Sequence, residues 1–225
     1  MSTVRRETVL HVGLIGVLFC LCFLLPAYHQ GNLARIMVLA VYAAGYNLLF
    51  GYTGLLSLGH ALFFAAGMYG MGLTVVHAGL GPALALLCGL AAGVVVALAV
   101  GLLALRTTGV AFMIVTLMFA QAGYLTVLYF GAWTRGDEGF VIQQAQRIMW
   151  GLDLSDPVNR YFAAFALFAA SLGLILWLVH SPFGRVLIAI RENEERARML
   201  GYDVFAHKLA AVVLSGAISA VSGAA

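Results

Sequence analysis

The sequence predicts an all-α, polytopic membrane protein of about seven transmembrane helices, with a cytoplasmic N-terminus and a short cytoplasmic helix between two spans. Composition is the first reason: of 225 residues, 63% are hydrophobic and 9% charged, against about 45–50% and about 25% in soluble domains. The second is length, because at about 20 apolar residues per span the chain has room for about seven spans and little else. The third is the placement of arginine and lysine, which are concentrated on one side of the predicted spans. A soluble enzyme is thereby excluded. Nucleic-acid binding is not expected either, since the 12 basic residues are scattered and the net charge is only +3. Cys20, Cys22 and Cys88 lie inside apolar runs, where a thiol behaves as a small hydrophobe, so neither a disulfide framework nor a cysteine metal site is expected.

The spans follow in order. Arg5-Arg6 precedes an apolar run from Val9 to Leu25, the pattern of a signal sequence; no small-x-small cleavage site follows, so it reads as an uncleaved first span. The others cover about Leu33–Phe50, Leu55–Val76, Pro82–Leu105, Gly109–Ala132, Tyr161–Val179 and Leu209–Ala225. With the N-terminus inside, this parity puts Arg5, Arg6, Arg106, Arg185, Arg191, Arg196, Arg198 and Lys208 in the cytoplasm and Arg35, Arg135, Arg147 and Arg160 outside, as the positive-inside rule requires. Every carboxylate falls outside the predicted spans. Ion-coupled transporters keep ionisable groups at membrane depth, so the energy for any transport is expected to come from elsewhere. The last run has 17 residues, about 25 Å of helix, and reads as cut inside a span.

Four segments carry functional signals in this single transmembrane domain, residues 1–225. Gly51-Tyr52-Thr53-Gly54-Leu55-Leu56-Ser57-Leu58-Gly59-His60 reads as a helix that breaks or starts late, with backbone polar groups turned to protein or a cavity. The same residues also suit a tight turn that lets helices approach, and His60 also suits a local hydrogen bond near a helix end. Ala85, Gly89, Gly93, Ala97 and Gly101 recur at i, i+4, a small-residue ridge for close packing in lipid; Ser215, Ser219 and Gly223 make a shorter one. The loop 133–160 is longer than a connection needs, and Trp133, Asp137 and Glu138 suit an extracytoplasmic docking partner or simple solvation. The loop 181–207 contains a short helix over Arg185–Leu200, with Glu192–Arg196 and Glu194–Arg198 pairs and Gly201 at its C-terminal stop. Ile190, Ala197, Met199 and Leu200 are its expected apolar contacts. No phosphate loop, Gly-x-Ser-x-Gly elbow or His-Glu-x-x-His zinc motif occurs in the chain. A hydrolase built on Ser57 and His60 has nothing nearby in sequence to orient its base.

Taken together, the segment Gly51–Gly67 (GYTGLLSLGHALFFAAG), the run Arg106–Phe112 with Thr116, Leu117, Phe119, Ala120 and Gln121, the loop Gly136-Asp137-Glu138-Gly139, and Arg191–Ala197 through Leu200-Gly201-Tyr202 closely resemble the M-type permease subunit of branched-chain amino acid ABC importers. Glu195-x-Ala197-x-x-x-Gly201 also looks like the Glu-Ala-Ala-x-x-x-Gly coupling signature of importer permeases, with Arg196 in place of the middle alanine. The resemblance implies a multi-pass protein of the cell inner membrane and a related H-type permease partner. It also implies two ATP-binding cassette subunits, which hydrolyse the ATP, and an extracytoplasmic solute-binding protein. No cofactor is expected in this chain, and it is not expected to be an enzyme. Residue pattern and resemblance together assign a substrate path to Gly51, Gly54, Ser57, Gly59, His60, Phe63, Phe64, Thr116 and Gln121, with the two phenylalanines as apolar wall. They assign ATPase coupling to Arg191, Glu192, Glu195, Ala197, Leu200 and Gly201, and binding-protein contact to Asp137 and Glu138. Family members continue beyond this point with at least one more span, so the chain is expected to be incomplete at its C-terminus. Related permeases carry urea or short amides, which stand as the alternative to leucine, isoleucine and valine. A passive small-solute channel is the alternative from another class.

Overall fold

The computed structural model describes residues 3–139, 148–149 and 152–225. It is helical apart from one antiparallel hairpin of two-residue strands, β1 (Ile148–Met149) and β2 (Leu152–Asp153). Long helices are α1 (Thr3–Leu24), α2 (Ala27–Asn47), α3 (Ala61–Ala78), α4 (Pro82–Ala104), α5 (Val110–Tyr129), α7 (Pro157–His180) and α10 (Val204–Ala224). Short ones are α6 (Gly131–Thr134), α8 (Pro182–Glu192) and α9 (Glu194–Met199). Among the described residues six helices are long and apolar enough to cross a membrane, α2 continuing through a π-helical turn to Tyr52, and α1 adds the shorter apolar stretch His11–Leu24. Seven membrane helices are therefore consistent with the fold the composition predicts.

Local chemistry explains the boundaries. Pro82, Pro157 and Pro182 each occupy the first turn of a helix, where a missing N–H costs nothing and φ is already helical. Side-chain oxygens of Asp156, Ser181, Asn193 and Asp203 cap α7, α8, α9 and α10 by accepting from Val158, Gly184, Arg196 and Ala206 N–H, which satisfies donors that a helix start leaves open. Gly79 closes α3 with φ +61, a left-handed conformation that favours glycine.

The core is a backbone-to-backbone junction of α3, α4 and α10. Ala85, Gly89, Gly93, Ala97 and Gly101 are buried along one face of α4, as their spacing predicts. A Cβ at Gly89 would lie 2.7 Å from the carbonyl oxygen of Gly67, and one at Gly101 would lie 2.8 Å from Leu209 Cδ1. α10 also packs on α2, and α2 on α7. α1 leans on α7, where Tyr161 Oη donates to Leu18 O at 2.6 Å and Phe19 meets Phe162 and Phe165. α5 contacts α3 and α4 sparsely, and only Phe112 and Thr116 are buried on it.

The helices alternate in direction. The ends of α2 and α4 and the starts of α5 and α10 meet α8 and α9 around one cleft. At the opposite end His77 Nε2 donates to Trp133 O at 3.0 Å. Arg147 lies outside the described residues, as do the side chains of Arg5 and Arg6.

Several boundaries differ from the sequence expectation, α2 starting at Ala27 and α7 at Pro157, and three differences bear on the site. The third span begins at Ala61, not Leu55, because the chain after Tyr52 leaves the helix and Gly54 takes φ +75. α10 begins at Val204, five positions earlier than Leu209, because Asp203 caps it; its 21 residues give about 31 Å of helix, long enough to cross the hydrocarbon layer. The single helix expected over Arg185–Leu200 is two, broken at Asn193, whose φ −160 and ψ 104 are extended and whose side chain starts the second.

Candidate functional site

The break between α2 and α3 is the centre of the candidate site. Leu48–Tyr52 form a π-helical turn, residues 54–57 are irregular, and residues 58–60 turn into α3. Thr116 on α5 braces this segment: its Oγ1 accepts from Leu58 N–H at 3.2 Å and donates to Met113 O at 2.9 Å. Gly59 presses against the Thr116 carbonyl so closely that a side chain has no room. That contact is the close approach of helices that the glycines of this segment suit. Gly54 is instead exposed, against the side chain of Arg191.

His60 and Ser57 are both buried. His60 Nε2 lies 2.9 Å from Ser219 Oγ and 3.2 Å from Ser215 Oγ. Each serine has one proton, and each is already given to a carbonyl: Ser215 to Gly45 O at 2.5 Å, Ser219 to Ser215 O at 2.9 Å. Both serine oxygens must therefore accept, so Nε2 carries the hydrogen and Nδ1 carries the lone pair. Among the described residues Nδ1 has no hydrogen-bond partner, nor has Ser57 Oγ. The rings of Tyr42, Tyr46, Phe63 and Phe64 surround this point; Tyr46 meets His60 edge-on at 5.0 Å, and Phe64 meets Tyr42 at 5.6 Å. The cluster binds α2, α3 and α10 together, with Ser222 donating to Val38 O at 2.6 Å along the same face.

This geometry does not favour a Ser–His nucleophile. A histidine that donates to a serine cannot take its proton, and Ser57 makes no hydrogen bond to a base. Substituting His60 by glutamine, which keeps an N–H donor for the serines, is expected to cost less than about 1 kcal/mol, and by phenylalanine about 1–3 kcal/mol. Thermal unfolding in detergent measures the difference; equal melting of the two variants would show that the serine contacts do not stabilise the bundle.

The residues expected along a substrate path are only partly brought together. Gly59 packs on Thr116 and His60 lies against Phe63 at 5.1 Å, while Phe64 reaches this cluster through Tyr42. Gly51 and Gly54 face Arg191. Phe63 is a core side chain: it is buried, and a Cβ on Gly216 would press against its ring. Gln121 sits apart, on the exposed side of α5. Sequence reasoning missed Tyr42 and Tyr46, and it took Ser215 and Ser219 for packing residues. Two hydroxyls one turn apart in an apolar helix were the available signal.

At the α8–α9 end, Val186, Ile190, Ala197 and Val204 form a small core of their own. Ala197 and Ile190 are buried there, whereas Met199 and Leu200 are exposed; of the four expected apolar contacts two thus pack inward, because the chain turns at Asn193 and folds Ala197 against α8. Glu195 stays exposed. Gly201 has φ +89, its N–H reaches Arg198 O at 3.0 Å, and Tyr202 N–H reaches Ala197 O at 3.3 Å. Those two bonds are a Schellman stop, at the residue where the sequence places it. Glu194 pairs with Arg198 at 3.1 Å and with Lys208 at 2.5 Å. Glu192 pairs with Arg191, at 2.7 Å, instead of Arg196, because the break at Asn193 takes Arg196 off the same helical face. A cleft of about 450 Å³ opens between Gly54–Leu55, the Thr107–Gly109 turn and Arg191–Glu194.

At the opposite end Gly136–Glu138 form a 3₁₀ turn after the left-handed Arg135. Glu138 is exposed, and the side chain of Asp137 lies outside the described residues. Among the described residues no group of His, Cys, Asp and Glu could hold a metal ion.

Comparison with known proteins settles the family. The model of the branched-chain amino acid transport system permease component matches residues 30–225. The chain belongs to this permease family. It is 29% identical over 249 residues to the high-affinity branched-chain amino acid transport system permease protein LivM of Salmonella typhimurium, covering 99% of this chain and 57% of that protein. The corresponding LivM of Escherichia coli is 30% identical over 214 residues, covering 83% and 49%. A probable branched-chain amino acid transport permease protein LivM of Methanocaldococcus jannaschii is 38% identical over 64 residues, 28% of this chain and 19% of that one. The permease thus spans about half the length of the curated relatives it matches. No solved structure matches significantly.

Proposed function

We propose that the chain forms the M-type permease of an ATP-driven importer of leucine, isoleucine and valine in the cell inner membrane. The observation that carries this reading is the family match over residues 30–225, joined to an α8–α9 unit with its own small core and exposed Met199 and Leu200. In this reading α8 and α9 lie in the cytoplasm and meet one of two ATP-binding cassette subunits, while a related H-type permease completes the membrane pair. ATP hydrolysis belongs to those cassette subunits, so this chain needs no cofactor and no catalytic residue. The orientation follows from the eight basic residues on the α8–α9 side of the parity count against four on the other.

The far-end turn with Glu138, and Asp137 beside it in sequence, then faces the solute-binding protein. The break around Ser57 and His60 borders the path. A wall of aromatic rings with few polar atoms suits a pathway that must release what the binding protein selects and delivers.

Uptake of labelled leucine by the complex reconstituted with both permeases, the cassette subunits and the binding protein tests the reading. ATP-dependent leucine uptake that exceeds urea uptake supports it. Preference for urea would reassign the substrate, and uptake without ATP would make the protein a channel.

A further inference from the structure

A π turn that runs into non-helical chain strands several backbone carbonyls, and each needs a donor from protein or water. Three find one within the segment itself: Leu48 O accepts from Thr53 Oγ1 at 3.2 Å, Leu49 O from Leu55 N–H at 3.2 Å, and Phe50 O from Gly54 N–H at 3.1 Å. Gly51 O is different. Its donor is Arg191 Nη1 at 2.5 Å, from α8 and 140 positions along the chain. The other terminal nitrogen of the same guanidinium, Nη2, holds Glu192 Oε1 at 2.7 Å, which orients the group.

Gly54 makes room for the connection. A Cβ there would lie 2.9 Å from Arg191 Cγ, and φ is +75, so both the absent side chain and the left-handed backbone belong to this contact. The segment that Arg191 holds at Gly51 runs on to His60, which is fastened to α10 through Ser215 and Ser219. A charge-assisted bond at one end and a buried three-helix cluster at the other leave the break little freedom to move independently of α8.

We infer that Arg191 is a positioning residue that acts inward: it is a strut through which a displacement of α8 is delivered to the broken segment at Gly51, and not a contact for the ATPase. This rests on the transporter reading above and adds to it the intramolecular link between the cytoplasmic helices and the path. The two fail separately in the following experiment.

The complete transporter, with both permeases, cassette subunits and binding protein, is placed in proteoliposomes, and leucine taken up per ATP hydrolysed is measured. Arg191→Ala should leave hydrolysis stimulated by the binding protein within about twofold of wild type while uptake falls about tenfold or more, a coupling loss of ordinary allosteric size. Arg191→Lys keeps a cationic donor of similar reach and should restore the ratio to within about threefold. Gly54→Ala, which displaces the arginine stem without removing its charge, should uncouple as Arg191→Ala does, and it reads the same ratio if the arginine variant does not assemble. A wild type that couples while both Arg191→Ala and Gly54→Ala retain its ratio overturns the strut and leaves the transporter reading intact. A wild type without ATP-dependent uptake overturns that reading, and the strut with it.

Discussion

Replacing Gly67 with leucine should leave almost no folded protein. At this position a Cβ would fall on the carbonyl of Ala220 in α10, and on the other side the carbonyl of Gly67 itself lies 2.7 Å from the Cβ position of Gly89 in α4. Three helices therefore meet through main chain, and main chain cannot swing aside as the tip of a side chain can. Overpacking in a core ordinarily costs about 1–3 kcal/mol; separating this junction should exceed the upper figure, because the contacts of α3 with α4 and of α10 with both are lost together. Size-exclusion profile and thermal unfolding in detergent measure it. Gly173→Leu in α7 is the control, since nothing lies within 4 Å of its Cβ position. Comparable folded yield from the two variants would show that the junction is not the site of stability.

Ala197→Glu should disable the α8–α9 unit while sparing the bundle. Ala197 is buried against Val186, Ile190 and Val204, a cluster separate from the main core. A carboxylate forced into such an apolar contact either stays charged at a cost of several kcal/mol or pushes α9 off its seat. The expected result is a normal melting temperature for the membrane helices, cleavage within residues 191–202 accelerated about tenfold in limited proteolysis, and loss of co-purification with the cassette subunit. Met199→Glu, at an exposed position, should weaken co-purification without changing proteolysis. If Ala197→Glu resisted protease as wild type does, Ala197 would not be seating α9.

The sequence expectation for the α8–α9 region is one short helix with Ile190, Ala197, Met199 and Leu200 as its apolar contacts. The information for the correct reading was present: Asn193 followed by Glu194 and Glu195 is a helix-start pattern, and it was passed over because the i, i+4 charge pairs favoured one continuous helix. Gly201 was legible as a helix stop because a left-handed stop depends on a single residue type and its immediate neighbours. The start of α10 was misjudged for the opposite reason. Hydropathy weighs Val204–Lys208 as polar chain, whereas Asp203 caps a helix that already includes them.

By itself the sequence determined what depends on composition and on neighbours along the chain. The membrane setting, the helix count, the alternating direction, the small-residue face of α4 and the irregularity of Gly51–His60 all follow from apolar run length, glycine spacing and charge placement. Tertiary structure decided every relation between distant segments. His60 meets Ser215 and Ser219 only because α10 inserts between α2 and α3. Arg191 reaches Gly51 only because α8 folds back beneath the π turn. Phe63 and Phe64, adjacent in sequence, point one into the core and the other toward Tyr42. Hydropathy records whether a residue avoids water, a property of one side chain. The partner that a buried hydroxyl or a freed carbonyl finds is a property of the packing, because that partner comes from wherever the chain returns.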